Sequence, residues 1–390
     1  MSTNVANWNK ELTALKQQHS YRVRRCMAGP QSNLIKLDGE HFHNFCSNDY
    51  LGLAHHPLVC DAAKKAIDQF GTGSGASQHI NGYSLAHAAC EEQLADFLQA
   101  EKVVLFGSGY LANLGVLSAL AKRHDIIFGD KLNHASLIDA AQCSAANFQR
   151  YRHTDMDHLD TLLSTNDYNN ALVVTDGVFS MEGSSAPIAE LVAKCNQYDA
   201  LCIVDDAHGI GVLGEHGRGC LEAQNISSQH VDVLIGTFGK AFGSAGAFVA
   251  GDTTLINYLI QKARSMIYTT ALAPSLAAAA SQSLQIICNE PERRTRLHAN
   301  IDYFRRALAD SHLNLLPSDS AIQSIVLNSN EKAIAFSQAL ETRGCLVIAI
   351  RPPTVPKNSA RLRITLSSEH ETNQIDCLVS SLLEINSAYA

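Results

Sequence analysis

Ile235-Gly236-Thr237-Phe238-Gly239-Lys240-Ala241-Phe242-Gly243 is the stretch on which the reading of this chain turns. It continues an apolar run from Val231 that reads as a buried strand, and glycines stand on both sides of the lysine. A lone lysine at the end of a core strand is costly unless its charge is removed or bonded. A Schiff base with a carbonyl cofactor does both. Leu201-Cys202-Ile203-Val204-Asp205-Asp206-Ala207-His208 has a related form, an apolar strand ending in two acids and a histidine. Active sites of open parallel sheets lie beyond the carboxyl ends of their strands.

Around these two stretches, strands and helices alternate. Strands are expected at 102–106, 126–129, 171–175, 201–205, 231–237 and 247–250. Helices are expected at 57–70, 85–99, 110–121, 135–146, 159–163 and 188–198. Such alternation argues for an α/β fold, a mostly parallel sheet with helices on both faces. Residues 1–45 read as a helical arm and a hairpin turning at Asp38-Gly39. The large α/β domain is expected over 46–285, with a bridging helix at 274–287. A smaller α+β domain is expected over 286–390, with strands at 324–327, 346–350 and 361–366.

The chain has 390 residues, 46% of them hydrophobic, so it can bury a large core. Its formal charge of −8 argues against nonspecific nucleic-acid binding. Eleven cysteines without a C-x-x-C pair read as small buried hydrophobes in a reducing compartment. A polar start and no apolar run of spanning length argue for a cytoplasmic, membrane-free protein.

Pyridoxal phosphate (PLP) is the usual carbonyl cofactor of such a lysine, and it needs an acid at its ring nitrogen and a cradle for its phosphate. Asp205 closes its strand and is the better placed of the two acids. Phe106-Gly107-Ser108-Gly109-Tyr110-Leu111-Ala112-Asn113 joins a strand to a helix through a glycine turn, where backbone N–H groups can grip a phosphate. Tyr110 could stack on a flat ring, and so could His134 in Asp130-Lys131-Leu132-Asn133-His134. Each segment alone also fits a plainer role: loop acids, an ordinary strand–helix turn, a polar helix cap. Gly209-Ile210-Gly211-Val212-Leu213-Gly214 matches G-x-G-x-x-G, the pattern of a nicotinamide-dependent oxidoreductase. That reading requires a helix to open there, and the sequence continues as loop. It would also leave Lys240 without a role. A silent binding protein on the same scaffold would most easily have lost Lys240 or Asp205.

Together with Ser47-Asn48-Asp49-Tyr50-Leu51-Gly52-Leu53, Asn133-His134-Ala135-Ser136 and Gly177-Val178-Phe179-Ser180-Met181, these segments resemble the α-oxoamine synthases. These are PLP enzymes with the type I aminotransferase fold, and the resemblance spans nearly the whole chain. Ile350-Arg351-Pro352-Pro353-Thr354-Val355-Pro356 and Ala360-Arg361-Leu362-Arg363 look most like the branch that condenses L-alanine with a pimeloyl thioester. The alternative is the branch that uses glycine and acetyl-CoA, which usually shows a different segment at Arg351-Pro352-Pro353.

The resemblance implies a role for each matching position. Lys240 would carry the Schiff base and move the Cα proton. Asp205 would pair with the ring nitrogen, and His208, helped by Ser180, with the ring phenolate. His134 would stack on the ring. Gly109 and Tyr110 would hold the phosphate, with Thr237 nearby. Thr269 or Thr270 would reach a partner subunit's site in a homodimer. Arg363 would take the amino-acid carboxylate. Asn48, His134, Thr354 and Arg22 would contact substrate, and Arg22 would meet the far carboxylate of the acyl chain. No metal is implied. Coenzyme A and acyl carrier protein both remain open as thiol carriers, with Arg22, Arg24 and Arg25 the one hint of a basic dock. Two departures stand out: Asp176 where many relatives carry Glu, and Asn358 in place of a usual glycine.

Overall fold

The computed structural model describes residues 3–389. In chain order its strands are β1 (Leu34–Leu37), β2 (Glu40–Asn44), β3 (Lys102–Phe106), β4 (Ile126–Asp130), β5 (Asn147–Tyr151), β6 (Ala171–Asp176) and β7 (Leu201–Asp205). They continue as β8 (Val233–Thr237), β9 (Ala247–Gly251), β10 (Asn314–Leu315), β11 (Ile322–Asn328), β12 (Cys345–Leu346), β13 (Ile348–Ile350) and β14 (Ala360–Thr365). The chain divides into two compact units. One holds Asn48–Ser180 and Ser184–Leu297; the other holds the residues up to Ser47, Met181–Gly183 and those from His298 onward. The expected break after 285 falls inside the helix Pro274–Asn289.

The larger unit is built on a seven-stranded sheet in the order β3-β9-β8-β7-β6-β4-β5. Only β9 runs against its neighbours, β3 and β8, so the other six point the same way. Every residue of β4 and β6 is buried, the mark of a sheet covered on both faces. Apolar side chains of β3, β4, β6, β7, β8 and β9 share one buried cluster with Ala112, Val116 and Leu117 of the helix Gly109–Leu120. The carboxyl ends of β4, β6, β7 and β8 therefore open at one edge, and the turn after β3 joins them. Asp130, Asp176, Asp205 and Thr237 stand at those ends.

The smaller unit carries two sheets. β1, β2 and β12 form the first, with the hairpin turning at Asp38-Gly39 as expected. β10, β11, β14 and β13 form the second, all antiparallel. Asn358, in the loop before β14, has φ +61°, the left-handed backbone that Asn tolerates and glycine usually fills.

Several expectations are corrected. The helix expected over 135–146 stops at Cys143, and an edge strand, β5, follows where none is expected. Asn147, Gln149 and Arg150 make β5 polar, which suits an edge and hides a strand from a hydrophobic search. The helices Thr253–Lys262 and Thr372–Tyr389 also lie outside the expected set. Among the described residues no helix is long and apolar enough to cross a membrane.

Candidate active site

Asp205 ends β7 with 6% of its surface exposed. Its Oδ2 accepts from Asn113 Nδ2 at 2.7 Å, and its Oδ1 accepts from the Ala207 N–H at 3.1 Å. Two hydrogen bonds to charged oxygens hold a carboxylate in place within a site that burial would otherwise penalise. Asp206, the next residue, has a different setting. Its Oδ2 accepts from the Cys220 N–H at 2.7 Å, and Gly177, Gly209 and Gly219 close around it so tightly that a Cβ would not fit. Gly219 also has φ +94°. Burial pushes the Asp206 carboxyl up to about 7. The two acids are thus separated as the sequence suggests, one at the strand end and one inside a glycine nest. The G-x-G-x-x-G run forms turns, with Gly211 and Gly214 left-handed, and no helix opens at Gly209.

His134 caps the helix Ala135–Cys143. Its Nδ1 lies 2.7 Å from Ser136 Oγ and accepts from the Ser136 N–H at 3.3 Å. Ser136 Oγ already accepts from Asn113 Nδ2 at 2.8 Å, so its own proton turns toward His134 Nδ1. Two donors on Nδ1 place the ring proton on Nε2. Burial lowers the His134 pKa below its ordinary value; Asp205 opposes the change and Lys240 adds to it. Burial thus favours the neutral ring, and the donors on Nδ1 place its proton on Nε2. The His134 backbone N–H donates to Asp176 Oδ2 at 2.6 Å, and the Asp176 N–H donates to Asn133 Oδ1 at 3.1 Å. Burial raises Asp176 well above the usual carboxylate range, and Asp205 adds to the rise.

Lys240 is half-buried in the turn after β8, and its charge acts on both His134 and Asp176. Lys240, Asp205 and His134 therefore share one edge of the sheet. His208 is buried, and its Nδ1 lies 2.7 Å from the Tyr50 hydroxyl, which also reaches Asn48 Oδ1 at 3.1 Å. Ser180 is half-buried in the turn that follows β6.

Gly109 opens the helix Gly109–Leu120, with Ser108 as its cap. The Leu111 N–H goes to Ser108 Oγ and the Ala112 N–H to the Ser108 carbonyl. Among the described residues, the N–H groups of Gly109 and Tyr110 have no protein acceptor. A Cβ at Gly109 would meet only Thr237, at 3.9 Å. Two donors, a helix N-terminus and open space fit a phosphate, as a ring-nitrogen acid and a lysine fit a pyridoxal ring. The donor set of this edge is that of a PLP site. The Tyr110 hydroxyl donates to Asp139 at 2.7 Å, which anchors that ring to the neighbouring helix. Thr237 Oγ1 donates to the Gly246 carbonyl at 2.9 Å. Thr269 is half-buried and Thr270 exposed, in the loop before Pro274.

Arg22, Thr354 and Arg363 belong to the smaller unit. Arg363 is buried in β14, and Arg22 Nη2 donates to Thr354 Oγ1 at 3.1 Å. Arg361, two residues before Arg363, is committed to Glu182 at 2.9 Å. Arg25 is bound to Asp38 and Glu341, so the basic run at 22–25 is partly neutralised within its own unit.

Three residues whose side chains bond those of Asp205, His134 and His208 carry no role in the sequence reading: Asn113, Ser136 and Tyr50. Asn113 has the clearest signal, since it stands four residues after Gly109 and so one turn further along the same helix face.

The aminotransferase class I and II family model matches residues 40–382. An 8-amino-7-oxononanoate synthase from Methylococcus capsulatus is 49% identical over 373 residues, 96% of this chain and 96% of that protein. The chain belongs to the 8-amino-7-oxononanoate synthase family. A solved 8-amino-7-oxononanoate synthase from Francisella tularensis is 34% identical, covers 90% of this chain and 99% of its own, and superposes with a TM-score of 0.77. A serine palmitoyltransferase variant from S. paucimobilis, with a bound PLP–myriocin aldimine, is 30% identical with a TM-score of 0.93, over 98% and 97% of the two chains. The 8-amino-7-oxononanoate synthase fold is therefore the type I PLP aminotransferase fold, with its mostly parallel sheet and helices on both faces.

Proposed function

We propose that this chain condenses L-alanine with a pimeloyl thioester, releasing 8-amino-7-oxononanoate, CO2 and the free thiol, as a PLP-dependent acyltransferase of biotin biosynthesis. The observation that carries the reading is the buried Asp205, bonded to Asn113 and sharing its edge with Lys240 and neutral His134. Its support in kinship is the 49% identity along 96% of a named synthase.

PLP, when bound, supplies a carbonyl for the amino group and a ring that spreads negative charge from the substrate Cα. The chain does the rest. Asp205 keeps a proton on the ring nitrogen, and Asn113 keeps Asp205 in position. His208, held by Tyr50, would pair with the ring oxygen, helped by Ser180. The Gly109 and Tyr110 N–H groups, with Thr237, hold the phosphate. Lys240 Nζ takes the Cα proton and returns one after CO2 leaves. The new bond joins the alanine Cα to the acyl carbon as the carbon–sulfur bond breaks and the thiol departs. His134 offers its Nε2–H to the thioester oxygen, where negative charge grows. Asn48 is a further substrate contact, and Arg363 takes the alanine carboxylate, a bidentate task suited to a guanidinium.

The working assembly is a cytoplasmic homodimer in which Thr269 or Thr270 reaches the partner's phosphate site. The thiol carrier is coenzyme A or acyl carrier protein. The discriminating experiment is mass spectrometry of the product from L-alanine plus pimeloyl thioester, with glycine plus acetyl-CoA run beside it. Product of the expected mass from the first pair alone supports the proposal; product from the second pair alone replaces it with the glycine branch. Lys240→Ala is expected to stay folded and lose turnover, and retained turnover would remove Lys240 from the mechanism.

A further inference from the structure

β4 runs to Asp130, but its ladder with β6 ends one residue earlier, at Gly129 opposite Val174. The next rung would set the backbone of Asp130 against Thr175, giving a hydrogen bond to the Val174 carbonyl and taking one from the Asp176 N–H. A side chain makes both bonds instead. Asn133 Nδ2 donates to the Val174 carbonyl at 2.9 Å, and Asn133 Oδ1 accepts from the Asp176 N–H at 3.1 Å. An amide side chain has the donor and the acceptor of a peptide group, so Asn133 extends the parallel sheet by one rung. Asn133 is buried, and a Cβ at Gly129 would stand 3.3 Å from its Nδ2, so the glycine leaves the room that the amide takes.

The residue after that rung is His134. Its N–H donates to Asp176 Oδ2 at 2.6 Å. On the other side of Asn133, the Leu132 N–H donates to Asp130 Oδ1 at 2.8 Å. Residues 132–134 are thus tied one after another to the ends of β4 and β6. Asp176 itself stands beside Asp205 in the register of β6 and β7. A helix cap is placed by its own helix; His134 is placed by the sheet edge as well.

We infer that Asn133 and Asp176 are positioning residues for His134: the amide docks the loop after β4 on the end of β6, the carboxyl fixes the His134 backbone, and the imidazole is kept at the edge that holds Asp205 and Lys240. The effect on turnover rests on the condensation proposed above; the placement of the ring does not. Neither residue touches the bonds that change.

Two measurements on the PLP-loaded, full-length protein test it. NMR titration of 15N-labelled histidines, with His134→Gln identifying the His134 signals, reads the imidazole directly. In the wild-type protein the ring should titrate below its ordinary value, as burial requires. Asn133→Ala removes both bonds of the rung and should move that titration up toward the ordinary value of about 6.5. Asp176→Ala should move it the same way but less, because the Asn133 rung remains. Asp176→Glu, which keeps a carboxyl, should recover part of the shift. Steady-state kinetics with L-alanine and the pimeloyl thioester should show kcat about tenfold or more lower in Asn133→Ala, with a smaller change in the KM for alanine. Variants that are less stable to urea yet keep the wild-type His134 titration and kcat would reduce the pair to scaffolding and end the inference. If Asn133→Ala does not fold, Asp176→Ala decides by the same readings. If wild-type protein yields no product from these substrates, the condensation reading fails, while the His134 titration still decides the placement.

Discussion

Asn113 donates to Asp205 across 2.7 Å from a helix whose first residue is Gly109. The backbone donors at the start of that helix and the acid at the end of β7 are therefore placed by one rigid element. The same Nδ2 donates to Ser136, whose hydroxyl meets His134, so acid and imidazole are linked through a single amide.

Asn113→Ala should break both links. Loss of a buried hydrogen bond to a charged group costs about 1.5–3 kcal/mol, which urea denaturation would read. Turnover should fall as well, because Asp205 loses the donor that orients it. Asn113→Asp should be worse, since it sets a second carboxylate against Asp205, and it should recover partly as pH is lowered. A fully active, fully stable Asn113→Ala protein would show that Asp205 needs no such support.

Ser136→Ala tests the tautomer of His134. The serine hydroxyl donates to Nδ1, a bond that only the unprotonated nitrogen accepts, so it favours the neutral ring. The native His134 pKa lies below its ordinary value, chiefly through burial. Removing the hydroxyl should move that pKa up, followed by an NMR titration of the His134 ring. The acid limb of the kcat profile should move the same way. A pKa that stays or falls would mean that Ser136 is the acceptor in this pair and that Nδ1 carries the proton.

Much of this arrangement is legible from sequence, and the exceptions have physical causes. β7 and β8 are apolar runs that end in chemistry-bearing residues, so periodicity and strand-end logic find Asp205 and Lys240. The interior strands β4 and β6 are legible because both faces are buried and the runs are continuous. β5 escapes because an edge strand needs no apolar face, and its Asn, Gln and Arg look like loop. Tyr50, Asn113 and Ser136 escape for a different reason. Their function lies in contacts between segments far apart in the chain, and polar residues on helices and turns carry no periodic signal. Asp206 shows the converse: beside Asp205 in sequence it looks equivalent, and only the glycines packed around it reveal that it serves the fold.

Asp206 also gives a pH-dependent stability whose sign can be worked out. Its ordinary value is 3.8, and burial raises it to about 7; Asp205 adds to the rise, while the Cys220 thiol and the Cys220 and Gly209 N–H groups oppose it. Between those values the native state holds a proton that the unfolded chain has released. Stability therefore falls as pH climbs from about 4 toward 7, by up to about 1.4 kcal/mol per pH unit. Above about 7 both states are ionised, and the loss, on the order of several kcal/mol, is complete. Asp206→Asn keeps the shape and cannot ionise, so its stability should lack this component. Relative to wild type the variant should fare better at pH 8 than at pH 5, read as the change in unfolding free energy from urea titrations. The comparison between pH values matters more than either value alone, because an amide at this position also changes the bond to the Cys220 N–H. A difference between the two proteins that stays constant from pH 5 to 8 would mean that Asp206 is ionised across the whole range and that the glycine nest is built around a charge.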